Sequence, residues 1–248
     1  MNAKNSTAGR AFLNEVMAFD QPLVTIFPRG HTQLPLESEV LDQLDVLSPQ
    51  SVPTIPVSCL TAPKVGGFGR TAQATCLLDQ VFKSFETVDI DSRLLQLDGL
   101  DTSIQTFLSL VIPQGHARRG NFCAAVHLAI RALFTLHWHI LRQPPQVVRA
   151  KFKPLEGWYR NSQEALETVT KIVIDIAESL LAPATANTVT FTVDAMPLVY
   201  PYNARAALKH INTSTRVEDA DWLRNADGVL KKSLDRYFER WGVSNSWT

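Results

Sequence analysis

The sequence predicts an all-α protein, an irregular bundle of about five to six amphipathic helices preceded by an extended, proline-rich N-terminal arm. Three observations carry this expectation. Apolar residues recur at spacings of three and four through long stretches from Phe68 onward, the period of a helix with one buried face. The run that alternates like a strand, TVTFTV with Val189, Phe191 and Val193 on one side, has no second run to pair with, so helix extension or loop reads equally well. Half of the 14 prolines lie between Asp20 and Pro63, where each removes a backbone donor and turns its predecessor away from helix.

Residues 1–63 form the expected arm, with one short helix at Leu36 to Leu47; the apolar Leu23, Val24, Ile26 and Phe27 argue that it drapes over a surface rather than dangling in water. Residues 64–248 form the helical body. Its first helix, Phe68 to Phe85, spaces Ala74, Leu77, Leu78, Val81, Phe82 and Phe85 on one face, and Asp91 to Ile112 does the same with Leu94, Leu97, Ile104, Phe107, Leu108 and Val111. Gly99 weakens the second helix, so Asp98 or Asp101 is placed to cap a fresh start. A turn-rich loop, PQGHARRG, leads to Asn121–Arg142, which has few polar interruptions, reads as buried on most sides, and stops at Pro144-Pro145. Ser162 to Leu181 carries the stripe Leu166, Val169, Val173, Ile176 and Leu180. The last helix spans about Val217 to Trp241, with Asp219 and Asp221 at its positive end and Trp222, Ala226, Val229, Ser233, Tyr237 and Trp241 along one face.

Composition removes several function classes. The 248 residues carry 24 basic and 24 acidic side chains, which gives no global field toward nucleic acid, and no polybasic run marks a DNA-reading arm or a membrane patch. The 3 cysteines are scattered and form no C-x-x-C pair, so neither a disulfide framework nor a cysteine zinc site is expected. No signal peptide and no uninterrupted apolar span of ~20 residues is evident, so the expected setting is intracellular, nucleus or cytoplasm, without a membrane. A length of 248 residues suits one domain and leaves room for two.

The glycine-rich KVGGFGRTAQA, Lys64 to Ala74, invites a phosphate-loop reading and fails it. The Walker spacing G-x-x-x-x-G-K-[ST] is absent, and no buried parallel strand precedes the glycines as a dinucleotide fingerprint requires. The glycines read instead as a hinge between arm and body, with Arg70 extending outward from the first helical turn.

Four blocks in order, GGFGRTAQATCLLDQVF, LDTSIQTFLSLVIPQGHARRGNFCAAVHLAIRALFTLHWHIL, AMPLVYPYNARAALKHI and ADGVLKKSLDRYFERWGVSNSW, resemble the fungal-specific transcription factor regulatory domain, the middle homology region of zinc binuclear cluster regulators. They span about three quarters of the chain, Gly66 to Trp247. The resemblance implies a helical fold and an effector-sensing role. The six-cysteine zinc cluster of that family maps onto no residue of this sequence, so direct sequence-specific DNA binding is not expected of it.

Candidate chemistry is sparse. His137 and His139 flank Trp138, but on a helix they point about 200° apart and cannot share one ion; His137 continues the Val126, Ile130, Leu133 face as an interior histidine, and no metal site is expected. His127, Arg131, Phe134 and Trp138 form a stripe at spacings of four, three and four, mixing polar heads with aromatic area as a ligand pocket does; the same composition suits a helix half-covered by a neighbour. Tyr200 and Tyr202, beside two prolines at a helix entry, either donate to a bound carbonyl or pin the entry. His116, Arg118 and Arg119 make a loop that suits an anion or an acidic partner. No catalytic motif or cofactor site is present.

The leading expectation is therefore a transcription-regulator-like module without its own DNA-binding head. It would act in fungal secondary metabolism through a small hydrophobic metabolite or a full-length regulator protein, a homodimer being compatible with this. The alternative is the same fold recruited as a cofactor-free cyclase, isomerase or pericyclase, with His127, Trp138, Tyr200 and Tyr202 as hydrogen-bond donors.

Overall fold

The computed structural model of the chain describes residues 33–35, 54–63, 65–117, 122–143, 155–182, 193–213 and 220–241. Among them are six α-helices, one 3-10 turn and one pair of three-residue strands, so the protein is all-α with a minor β element. The chain divides into two compact units within the third helix, between Ala132 and Leu133.

In the first unit, β1 (Gln33–Pro35) pairs antiparallel with β2 (Thr54–Pro56), Leu34 opposite Ile55. A proline ends each strand, which a two-stranded ribbon tolerates because both strands are edges. The helix expected at Leu36 to Leu47 lies outside the described residues. After β2 the chain turns twice, Cys59 N donating to Pro56 O (2.9 Å) and Ala62 N to Cys59 O (3.3 Å).

Helix α1 (Gly67–Phe85) buries Ala74, Leu77, Leu78 and Val81, as its spacing predicts. Its start differs from the expected hinge: Gly67 and Gly69 belong to the helix itself, and Phe68 is 79% exposed. Arg70, expected to extend outward, turns inward and is 1% exposed. Its Nη1 donates to Leu60 O (2.5 Å) and Gln73 Oε1 (3.0 Å), and its Nη2 donates to Ala62 O (3.0 Å). Gln73 Nε2 donates to Cys59 O (2.9 Å). The turn after β2 presents carbonyls with no helix or ladder to use them, and the planar guanidinium fork satisfies two of them together.

Helix α2 (Ile90–Ala117) is capped by Asp89, whose Oδ2 accepts from Ser92 N (2.9 Å) and Ser92 Oγ (2.6 Å). Leu94, Leu97, Ile104, Phe107, Leu108 and Val111 are all buried. No restart occurs at Asp98 or Asp101. Gly99 is exposed in open space; its cost of about 1 kcal/mol is outweighed by apolar side chains worth about 1.5–3 kcal/mol each when buried on either side. The helix also continues through Pro113, so Pro113 to Ala117, read from sequence as loop, form its last turns. Pro113 and Ser109 are both exposed, and the Ser109 carbonyl deprived of its helical donor is therefore on the side facing water.

Helix α3 (Cys123–Arg142) runs from the first unit into the second. It is the one helix among the described residues long and apolar enough to cross a membrane, and 67% of its apolar window is buried inside the protein. It is covered on most sides, as its composition predicts: Ala125, Ala129, Ile130 and Ala132 are buried in the first unit, Leu133, Phe134, Leu136 and Ile140 in the second.

The second unit adds α4 (Leu155–Leu181), α5 (Tyr200–Thr213) and α6 (Ala220–Trp241), which pack on one another. Helix α4 starts well before the expected Ser162, and buries Leu166, Val169, Val173 and Leu180 of the predicted stripe. Val193, the end of the alternating run, sits in a 3-10 turn (Val193–Ala195); Val189 and Phe191 lie outside the described residues. On α6 the buried face is Ala226, Leu230, Ser233, Leu234, Tyr237 and Phe238. It is rotated from the expected one, so that Val229 is half-buried and Trp241 is 45% exposed.

Candidate functional site

The entry to α5 separates its two tyrosines. Successive alternate residues on a helix point about 200° apart, so Tyr200 and Tyr202 face different neighbours. Tyr200 is fully buried; its hydroxyl donates to Ser233 Oγ on α6 (2.6 Å), and Ser233 Oγ donates to Leu230 O (2.7 Å). Burial pushes the Tyr200 phenol up to about 12, with the Ser233 hydrogen bond acting weakly in the other direction. Tyr200 is thus committed to holding α5 on α6. Tyr202 is half-buried and its hydroxyl lies 3.3 Å from Thr135 Oγ1 on α3.

One turn along α3 from Thr135 stands Trp138. The Lys209 ammonium of α5 lies 5.2 Å from the centre of a Trp138 ring, and the His210 ring meets Trp138 edge-on at 6.3 Å. His210 Nδ1 in turn lies 2.9 Å from Thr170 Oγ1 on α4. Three helices of the second unit therefore converge an indole, a phenol, an imidazole, two hydroxyls and an exposed ammonium. An ammonium above an indole is an arrangement that attracts planar molecules with acidic or carbonyl oxygens, through the charge and the aromatic face together.

The rest of the predicted stripe is placed differently. His127 and Arg131 belong to the first unit, are each 2% exposed, and are core residues. His127 Nδ1 lies 2.9 Å from Cys123 O, one turn back, and 3.5 Å from Cys123 Sγ. Burial lowers the His127 imidazole to about 4 despite that backbone bond, so it is neutral at ordinary pH. Phe134 is fully buried in the second unit. His137 is the interior histidine its spacing indicates, 2% exposed with Nδ1 3.2 Å from Ser162 Oγ on α4, while His139 Nε2 lies 3.0 Å from Gln143 Nε2. Among the described residues no three His, Cys, Asp or Glu side chains converge as a metal site would require.

Of the expected anion loop, His116 lies in the last turn of α2 rather than in a loop, and Arg118 and Arg119 fall outside the described residues. The sequence reading missed Thr135, Thr170, Lys209 and His210. A signal was present for Lys209: it follows Tyr202 by seven residues, two helical turns, and so shares its face. Comparisons of the chain with family models, with curated proteins and with solved structures return no match.

Proposed function

We propose that the chain is a regulator-type helical module that works by binding, its ligand being a small, planar, largely apolar metabolite with an acidic or carbonyl oxygen. The observation that carries this reading is the Lys209–Trp138 pair with Tyr202 and His210 beside it. These groups supply an aromatic face, a cation and hydrogen-bonding groups, and they include no activated nucleophile. The resemblance of four ordered sequence blocks to the regulatory domain of fungal transcription factors supports the same reading, and suggests that ligand occupancy is passed to a regulator protein. The catalytic alternative has weaker support, because Tyr200 is spent on Ser233 and the His127 imidazole faces its own helical turn in the other unit.

The test is retention of compounds from a library of planar aromatic acids and ketones by the purified chain, read by mass spectrometry after gel filtration. The reading expects a retained compound that is released by Trp138→Ala and by Lys209→Met. Retention unchanged in both variants contradicts it, and turnover of a retained compound would move the assignment to the catalytic alternative.

A further inference from the structure

We infer that the oxygen-bearing group of the bound ligand is a carboxylate, held between the Trp138 indole N–H and the Lys209 ammonium, so that an acid is taken in preference to a ketone of the same shape. The inference rests on the Trp138–Lys209 face being the binding site, and adds which protein atoms read the ligand's oxygens.

The observation that carries it is a donor with nothing to donate to. Trp138 is half-buried, yet its Nε1 is shielded from solvent and has no hydrogen-bond partner. An indole nitrogen can only donate, and a shielded donor left unmet is a standing cost that an arriving acceptor removes. The polar groups beside it are already engaged: the Tyr202 hydroxyl lies 3.3 Å from Thr135 Oγ1, and His210 Nδ1 lies 2.9 Å from Thr170 Oγ1.

Lys209 is the second donor of this face without an acceptor. Its side chain is exposed, its ammonium lies 5.2 Å from the centre of a Trp138 ring, and it makes no ion pair among the described residues. The same side chain lies over the indole, so it is the cover that can swing aside and admit a ligand to Nε1. Two charge-assisted hydrogen bonds of about 2.8 Å, one to each oxygen of a carboxylate, bridge donors set this far apart. A ketone offers a single neutral oxygen and cannot meet both donors with the same strength.

The experiment measures two matched probes, 2-naphthoate and the ketone 2-acetonaphthone, against the full chain by equilibrium dialysis. Wild type is expected to bind the acid at least about tenfold more tightly than the ketone. Trp138→Phe keeps an aromatic ring and loses the N–H, and should weaken the acid by roughly tenfold while weakening the ketone less. Lys209→Met, at an exposed position that the fold does not depend on, should bring the two probes toward the same affinity. Equal affinity for the two probes in wild type, or an acid preference unchanged in Trp138→Phe, overturns the inference. If Trp138→Ala still abolishes binding of both in that case, the face remains the binding site and only the carboxylate is removed. Failure of both probes to bind wild type counts against the face itself, and against the inference with it.

Discussion

Lys209 holds its ammonium 5.2 Å from the centre of a Trp138 ring, so that α5 meets the C-terminal part of α3 through a cation and an aromatic face. Lys209 is exposed, and pairs of this kind contribute about 0.5–1 kcal/mol at such sites. Lys209→Met is therefore expected to lower unfolding free energy by no more than about 1 kcal/mol, measured by urea denaturation. A larger loss would make the pair a structural fixture rather than a recognition surface.

Tyr200 is the opposite case. Its hydroxyl is buried and donates to Ser233, which passes the bond on to Leu230 O. Tyr200→Phe removes the donor and leaves the Ser233 oxygen short of a partner, at an expected cost of about 1–2 kcal/mol. Ligand retention should be unchanged in the same variant. Chemical denaturation and the gel-filtration assay separate the two effects.

His127 makes stability depend on pH in a defined window. Its folded value of about 4 lies below the ordinary 6.5, so as pH falls the unfolded chain takes up a proton that the folded chain refuses. The His127 contribution is complete above about pH 6.5 and is lost progressively toward pH 4, amounting to roughly 3 kcal/mol over the window. His127→Asn, which retains a donor for the Cys123 carbonyl, should flatten this part of the profile. Unfolding free energies with the same pH slope in both proteins would contradict the assignment.

Gln73 tests the clasp on the turn after β2. Gln73→Ala removes the shorter of the two hydrogen bonds to the Cys59 carbonyl, leaving only that from Ala62 N, and takes away one acceptor of Arg70. A loss of about 1–3 kcal/mol is expected, together with faster proteolysis within residues 57–62, seen by mass spectrometry.

These residues also mark where the sequence was informative. The six apolar positions of α2, Leu94 to Val111, were readable because burial imposes a helical period that nothing else in the segment opposes. The stripe of α4 was readable for the same reason. Arg70 was not, since its partners are the backbone carbonyls of Leu60 and Ala62, and a carbonyl leaves no trace in residue identity. The passage of α2 through Pro113 was hidden because a proline reads as a breaker unless the carbonyl it deprives is known to face water. The candidate site was legible by halves. Trp138 and Tyr202 stood out by type, whereas Thr135, Thr170 and His210 join it only through the way α3, α4 and α5 cross. Tyr200 and His127, equally conspicuous in sequence, were drawn instead into internal hydrogen bonds.

The central claim is that the Trp138–Lys209 face binds a planar, acidic or carbonyl-bearing molecule. The most direct measurement is a calorimetric titration of the compound retained by the wild-type chain into wild type, Trp138→Ala, Lys209→Met and Tyr200→Phe. The account predicts saturable binding to wild type and Tyr200→Phe and its loss in the other two; equal affinity in all four would contradict it.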